Sequence, residues 1–426
     1  MNRSTSKSLR LGVAGFAVMA AWQCGSSTSS ALAQTPPPAA APAAPAAPAA
    51  PTSPLTAPSY AGPLVQNPTP INFDAAGLGT VYITGAVTGL ALFQTDPIGA
   101  VFAPNGTFLG KDLTSNVDLS NGMVIAQKID GLVQFYAQGG GYSLPALGVN
   151  YHVTQRDGQS EKNFFGLFPE GYIKLVPTDT FSVEAGKLPS LIGDEYTFTF
   201  ENMNIERGLL WNLEPAISRG VQANLTTGPV AWAVSVNDGF YSTHYDWISG
   251  SATWTIDPAN TLAVAAGGNF STSNVNSIAA PFQLDNGDIF NLIYTYNAAP
   301  WTISPYFQYT DNRHNAALGL GTKDASTWGG AVLANYSIDD NWNLAGRVEY
   351  VSSSGSATDG TVNVLFGPGS NAWSVTVTPT WQNGIFFGRL EGSYVGAGST
   401  TPGFVFGKTG TSTSQERLVF ETGVLF

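Results

Sequence analysis

The stretch that decides the fold closes the chain: Gln415-Glu416-Arg417-Leu418-Val419-Phe420-Glu421-Thr422-Gly423-Val424-Leu425-Phe426. Alternate residues of a β-strand point to opposite faces. After Glu416, both charged residues, Arg417 and Glu421, share one face, and the other face is uncharged from Leu418 to the terminal phenylalanine. The uncharged face consists of Leu418, Phe420, Thr422, Val424 and Phe426. An apolar face that runs to the chain terminus is typical of the closing strand of an outer-membrane barrel.

Residues 1–33 are predicted to form a secretory signal peptide. A basic segment precedes an apolar run too short to span a bilayer, and Ala31-Leu32-Ala33 is an A-x-A cleavage site. A lipoprotein signal that uses Cys24 is the alternative, although the residues before it form a poor lipobox. Cleavage after Ala33 removes Cys24, the only cysteine, so the mature chain would have no disulfide and no thiolate metal site.

Charge and hydropathy argue against a nucleic-acid-binding protein and against a protein with membrane-spanning helices. The net charge of −12 becomes more negative on cleavage, because the signal contains basic but no acidic residues. Such a chain is a poor partner for nucleic acid. Charged residues make up only 11% of the chain, yet the mean hydropathy is +0.03. Apolar and polar residues must therefore be finely mixed, and no mature stretch reaches the ~20 apolar residues of a membrane helix.

Residues 34–70 form a low-complexity segment of alanine and proline. Pro42, Pro45, Pro48 and Pro51 recur at every third position, which is the period of a polyproline II helix. The segment is either a disordered tail or a stiff periplasmic spacer that reaches the cell wall, and the sequence leaves both open. The remaining residues, 71–426, are predicted to form one domain.

This domain is a series of β-hairpins. Period-2 segments meet at short turns such as Thr227-Gly228-Pro229, Ala299-Pro300 and Asn383-Gly384, whereas long polar loops join the other strand ends. Short periplasmic turns and long extracellular loops are the pattern of an outer-membrane barrel. We predict an all-β, transmembrane, antiparallel up-and-down barrel of about 16 strands, within a range of about 12 to 18, which is wide enough for an aqueous channel.

The tryptophans sort by their distance from the short turns. Aromatic girdles at both membrane interfaces are expected of a barrel. A soluble β-sandwich is the alternative, but it gives no reason for this sorting. The predicted girdle near the turns contains Trp232, Trp254, Trp301, Trp342 and Trp381, and the one near the loops contains Trp328 and Trp373.

Three motifs resemble the putative β-barrel porin-2 (OmpL-like) family. They are Ala185-Gly186-Lys187-Leu188-Pro189-Ser190-Leu191-Ile192-Gly193-Asp194-Glu195, Asn202-Met203-Asn204-Ile205-Glu206-Arg207-Gly208, and Pro215 followed by Arg219-Gly220-Val221. The resemblance covers about residues 75–426 and implies an outer-membrane porin-like barrel, without defining a solute. It also implies that the closing strand, with Phe420, Val424 and Phe426, is the assembly signal read by the barrel-insertion machinery.

Charged residues on the inner face are candidates for the channel lining. They brace the wall as a ladder of salt bridges, or form a selectivity zone, or do both. The lumen candidates are Lys174, Glu184, Arg347, Glu349, Arg389, Glu391, Arg417 and Glu421.

The long segment 188–218 is predicted either to narrow the mouth of the pore or to remain a surface loop. Its mouth candidates are Glu195, Glu201, Glu206, Arg207 and Arg219. The excess of acidic residues gives a weak expectation of cation preference.

The function expected from these features is passive diffusion of small hydrophilic solutes through an outer-membrane porin. The expected partners are outer-membrane lipid, the barrel-assembly machinery and further copies of the chain in a homotrimer. A non-conducting adhesin or envelope anchor is the main alternative. An enzyme is disfavoured, because no nucleophile–base arrangement or metal-ligand spacing is recognisable, and neither a cofactor nor a metal is predicted.

Overall fold

The computed structural model describes residues 53–99, 101–102, 108–110, 112–151 and 164–426. The predicted signal peptide and the proline repeat lie outside the described residues. No helix among the described residues is long and apolar enough to cross a membrane.

Strands dominate the described chain. In order they are β1 (Ile71–Ala75), β2 (Gly79–Gln94), β3 (Val101–Phe102), β4 (Phe108–Gly110), β5 (Ser115–Lys128), β6 (Val133–Tyr142), β7 (Glu170–Thr178), β8 (Phe181–Pro189), β9 (Ile217–Thr227), β10 (Val230–Asn237), β11 (Trp247–Asp257), β12 (Asn260–Asn269), β13 (Gly287–Ala298), β14 (Trp301–Asn312), β15 (Ala325–Ser337), β16 (Trp342–Ser353), β17 (Asn371–Asn383), β18 (Phe386–Gly398) and β19 (Ser414–Leu425). The helices are α1 (Phe282–Asp285) and three 3-10 turns, Thr199–Glu201, Trp211–Leu213 and Ala316–Leu318.

Sixteen antiparallel strands close into a barrel. From β5 to β19 each strand pairs with the next, and β2 pairs with both β5 and β19 to seal the ring. The predicted barrel of about 16 strands is confirmed. A closed sheet leaves no unpaired edge, which is the condition for a sheet to face lipid. β3 and β4 form a separate hairpin, and β1 pairs with the start of β2.

Side chains alternate between the lumen and the outer surface. On β17, Ser374, Thr376 and Thr378 are buried, whereas Trp373 and Val375 are exposed. The short turns lie at one end of the barrel, here called the turn rim, and the long loops lie at the other, here called the loop rim. Gly384, in one of the predicted turns, has a φ of +57°, a backbone conformation that favours glycine.

The predicted girdle residues lie on the outer surface. Three tryptophans pack on a tyrosine of the neighbouring strand: Trp301 on Tyr336, Trp328 on Tyr350 and Trp373 on Tyr394, with ring centroids 4.7, 5.4 and 5.1 Å apart. Aromatic pairs of this kind add about 0.5–1.5 kcal/mol beyond their buried area. Trp232, Trp254, Trp301 and Trp342 are exposed, as are Trp328 and Trp373, and Trp381 is half-buried.

The closing strand ends against β2. The Phe426 N–H donates to the Gly85 carbonyl at 3.0 Å, and the Gly85 N–H donates to the Phe426 carbonyl at 2.9 Å. A Cβ atom at position 85 would lie 2.5 Å from the Phe426 ring and 2.5 Å from the Met123 carbonyl oxygen. Glycine therefore makes room for the last ring of the chain. Phe420 and Val424 of β19 pair with Ala91 and Val87 of β2.

A Gly85→Ala substitution should lower the amount of folded barrel in the outer membrane, because the new methyl group displaces the Phe426 ring and strains the seam. Gly89→Ala is the matched control, since a Cβ there meets its nearest atom at 3.9 Å. The measurement is the heat-modifiable fraction of the protein in isolated outer membranes. Equal folded fractions for the two variants would show that the packing of Phe426 on Gly85 is dispensable.

Candidate functional site

The segment between β8 and β9, residues 190–216, folds into the barrel interior and is called the inner loop here. Phe198, Asn204, Glu206 and Arg207 have no exposed surface. Two of the 3-10 turns, Thr199–Glu201 and Trp211–Leu213, lie within it. The candidate site is thus the inner loop together with the wall residues that hold it.

Wall carboxylates accept hydrogen bonds from the backbone of the inner loop. Glu349 accepts from the N–H groups of Leu209 and Leu210 at 3.0 and 3.4 Å. Glu391 accepts from the Glu206 N–H at 3.0 Å and from the Ile205 N–H. Without these acceptors the buried backbone donors would be unsatisfied, at a cost of about 1–3 kcal/mol each.

The close approach to Glu349 requires glycine at position 208. A Cβ atom there would lie 2.0 Å from Glu349 Oε1. The Gly208 N–H donates to Glu195 Oε2 at 2.7 Å, and Glu195 also accepts from Arg347 at 2.6 Å. Glu195, a mouth candidate, therefore lies inside the lumen and ties the inner loop to β16.

Wall arginines donate to carbonyl oxygens of the inner loop. Arg347 reaches the Glu206 carbonyl at 2.8 Å. Arg389 reaches the Thr199 and Asn202 carbonyls at 2.8 and 3.1 Å and pairs with Glu421, which lies directly opposite on β19.

Arg417 holds the inner loop from the closing strand. It donates to Glu206 Oε1 and to the Ala146 carbonyl, both at 2.7 Å. Arg417 thus connects the inner loop with the loop that follows β6. The planar guanidinium group has several N–H donors in one rigid fork, so a single arginine can bind two segments of the chain at once.

The inner loop also makes apolar contacts with the wall. Leu209, Leu210 and Leu213 belong to a buried cluster that includes Leu333 and Val351 of the wall. A Cβ atom at Gly329 would lie 2.4 Å from Leu210 Cδ2, so this leucine packs directly on the wall. The inner loop therefore crosses the lumen from β8 and β9 to the wall formed by β14–β19. Its polar contacts with that wall extend to β14, where Gln308 donates to the Leu210 carbonyl at 3.1 Å.

The predicted lumen charges are not an open channel lining. Arg347, Glu349, Arg389, Glu391, Arg417 and Glu421 are at most 5% exposed. They face the lumen, but the inner loop covers them. Their partners Ser120, Thr199 and Thr378 were not identified from the sequence, because hydroxyl side chains on alternating strands carry no signal of a distant partner.

Three other candidates lie apart from this network. Lys174 and Glu184 face inwards near the turn rim and form a cross-strand ion pair of 2.9 Å. Arg207 is fully buried, and its guanidinium lies 5.1 Å from the Trp211 ring centroid.

The prediction that Arg219 lines the mouth is wrong. β9 already begins at Ile217, so Arg219 shares the outward face with the exposed Val221. Its guanidinium pairs with Asp238 at 2.7 Å and stacks on the Tyr241 ring.

A segment before β1 enters the lumen from the turn rim. Residues 53–66, called the arm here, were expected to be part of the spacer, but they pack against the barrel interior. Val65 exchanges two hydrogen bonds with the Gln382 side chain, at 2.9 and 3.0 Å. Gln127 donates to the Ala57 carbonyl at 2.8 Å.

The arm also contacts the inner loop. The Ala61 N–H donates to the Glu201 carbonyl at 2.8 Å, and the Tyr60 and Phe200 rings lie 5.8 Å apart. Leu64 is 1% exposed, in a cluster with Phe200 and other apolar side chains. The boundary expected at residue 70 therefore falls too late, since the barrel unit already includes the arm.

A cavity of about 280 Å³ remains between the arm, the inner loop and the wall. Its acidic lining is Glu170, Asp194, Glu195 and Glu201, and none of the other described residues around it is basic. Burial raises the pKa of Asp194 to about 6.

A family model described as "Putative beta-barrel porin-2, OmpL-like" matches residues 80–426. The chain belongs to this family. The match starts at the first strand of the closed barrel, so it includes the inner loop and every lumen candidate. No curated protein matches the chain.

Solved structures with the same fold include an outer-membrane channel and a porin. Salmonella typhi OmpF in complex with daunomycin has a TM-score of 0.53 and 10% identity, covering 84% of this chain and 100% of that one. The channel DcaP of Acinetobacter baumannii has a TM-score of 0.52 and 10% identity, covering 83% and 99%. An anion-selective porin from Comamonas acidovorans has a TM-score of 0.51 and 12% identity, covering 81% and 99%. At these identities the likeness shows the fold alone.

Proposed function

We propose that the protein is a non-enzymatic outer-membrane porin for the passive diffusion of small hydrophilic solutes. The observation that carries this proposal is a closed wall of sixteen strands whose lumen is crossed by an inner loop tethered through charged side chains. A barrel of this size is wide enough for an aqueous channel, and its family supports the same activity. The turn rim faces the periplasm in this proposal, and the loop rim faces outside.

The arm and the inner loop set the width of the passage. Both lie in the lumen and contact each other through Ala61, Tyr60 and Leu64. A docked arm narrows the channel at the turn rim, and release of the arm widens it. The preceding residues, 34–52, serve in this proposal as the periplasmic spacer that reaches the cell wall.

The acidic lining of the cavity supports a weak preference for cations, since rings of acidic side chains favour cations in pores. The purified full chain in planar bilayers should give a cation-selective zero-current potential in a salt gradient at pH 8. The preference should decrease at pH 5, because burial raises the pKa of Asp194 to about 6 and that of Glu195 to about 7, so both carboxyl groups lose negative charge between pH 8 and pH 5.

Asp194→Asn is the control for this pH dependence. It should show a weaker preference at pH 8 and lose part of the change between the two pH values, because Glu195 still titrates between them. A zero-current potential near zero at pH 8 in the native chain would remove the cation preference while leaving the channel itself intact.

The second candidate function is a non-conducting adhesin or envelope anchor. The burial of the wall charges under the inner loop favours it, because a filled lumen conducts poorly. The discriminating result is conductance after removal of the arm. A barrel that stays closed without its arm would support the anchor, and one that opens would support the porin. A homotrimer and assembly by the barrel-insertion machinery remain predictions for either function.

A further inference from the structure

Two basic side chains face outwards near the loop rim. Lys187 of β8 lies directly opposite Arg219 of β9, on the face that carries the exposed Val221. Like charges in directly opposite positions destabilise a sheet. A lysine or arginine on the lipid face also costs about 2–4 kcal/mol at mid-membrane and less near the interface. An anion between the two groups would offset both costs.

The two cations are unequally satisfied within the described chain. Arg219 has the carboxylate of Asp238 at 2.7 Å. Lys187 donates to the carbonyl oxygens of Phe165 and Phe168 at 3.1 and 2.6 Å. Its ammonium group also lies 5.4 Å from the centroid of the Tyr241 ring on which Arg219 stacks, and no carboxylate of the described residues forms an ion pair with it. The pair therefore carries an excess positive charge on the outer surface.

An apolar groove adjoins these cations. Its volume is about 680 Å³, and its walls include Gly171, Val221 and Val236 together with the exposed rings of Phe168 and Tyr245. The buried residue Glu170 also lines it, next to Gly171. Val221 and Val236 are directly paired across β9 and β10. They lie further from the loop rim than Arg219, so the groove has a charged end at the rim and an apolar floor below it.

The height of the cations matches a lipid headgroup. The strands of this part of the wall are short. β7 and β8 have 9 residues each and β10 has 8, whereas the strands β13–β18 have 12 or 13. A membrane-spanning strand needs about 9–11 residues. Lys187 lies close to the end of β8 at Pro189, so its ammonium group reaches the interface rather than the hydrocarbon core.

We propose that this groove binds a phosphate-bearing lipid of the outer leaflet. The phosphate lies against Lys187 and Arg219, which suit it as charge-assisted donors, and an acyl chain lies along Val221 and Val236. The inference goes beyond the channel function and rests only on the proposed orientation, in which the loop rim faces outside. The charge at one end and the apolar floor at the other favour a lipid over a second copy of the chain.

Native mass spectrometry of the purified full chain, titrated with diphosphorylated lipid A and with its dephosphorylated form, tests the proposal. The native chain should bind the phosphorylated lipid at least about tenfold more tightly, the effect of one hydrogen bond to a charged group. Lys187→Gln should lose this difference. Lys323→Gln, a change at an exposed loop lysine, should keep it.

Val236→Trp is a second variant that fills the apolar floor and keeps both cations. It should weaken binding of both lipids, which separates groove binding from attraction to surface charge. Equal binding of the two lipids to the native chain would overturn the proposal. So would a Lys187→Gln variant that dissociates an oligomer while its lipid binding stays unchanged, because the groove would then be an interface between copies.

Discussion

Deletion of the arm, residues 53–66, should raise the single-channel conductance from a low level to that of a wider pore. The arm lies in the lumen at the turn rim, where Val65 is held by Gln382 through two hydrogen bonds. Its removal also frees the Glu201 carbonyl and the Phe200 ring of the inner loop. The measurement is conductance in planar bilayers, with the predicted signal peptide and residues 34–52 kept so that export is unchanged.

Leu64→Ala should also raise the single-channel conductance, but by less than deletion of the arm does. Truncation of a buried leucine costs about 2–5 kcal/mol, so the ratio of docked to undocked arm should fall by a factor of about 30 or more. The matched control is deletion of residues 37–50, which lie outside the arm and should leave conductance unchanged. If arm deletion and this control gave the same conductance as the native chain, the arm would have no part in gating.

The wall of the barrel was predictable because its two environments impose a period of two on the sequence. The uncharged face of the closing strand gave the register of β19, and turns such as Asn383-Gly384 gave the hairpins. The burial pattern of β17, with inward hydroxyls and outward aromatic and aliphatic side chains, follows the same rule. One-residue slips are excluded because they would reverse both faces at once.

The contents of the lumen were not predictable in the same way. Arg389 binds carbonyl oxygens that lie 187 and 190 positions earlier in the sequence, and no local pattern records such a contact. The arm adjoins a proline repeat and resembles it in composition. Tyr60 and Leu64 were therefore not recognised as the side chains that anchor the arm in the lumen. The wrong prediction for Arg219 has a simpler cause. The face of the sheet on which its side chain lies depends on the residue at which β9 begins.

Arg389→Ala should destabilise the barrel by about 3–5 kcal/mol, the usual cost of leaving a buried charge without its partner. Both side chains of the Arg389–Glu421 pair are fully buried. Glu421 would keep only hydroxyl donors, from Ser120 at 2.8 Å and Thr199 at 2.6 Å. The inner loop would lose its contacts at Thr199 and Asn202, so we expect a lower unfolding midpoint in urea, followed by the fluorescence of the interface tryptophans.

Arg313→Ala is the matched control, because its ion pair with Asp288 is about half exposed. Exposed pairs contribute about 0–1 kcal/mol, so this variant should unfold like the native chain. The double variant Arg389→Met and Glu421→Gln should recover part of the loss, since it removes both charges and keeps an acceptor for Ser120 and Thr199. If Arg389→Ala were as stable as Arg313→Ala, the closing strand would not be holding the inner loop through this pair. If the double variant were no more stable than Arg389→Ala, the loss would arise from the freed carbonyls of the inner loop rather than from the unpaired carboxylate.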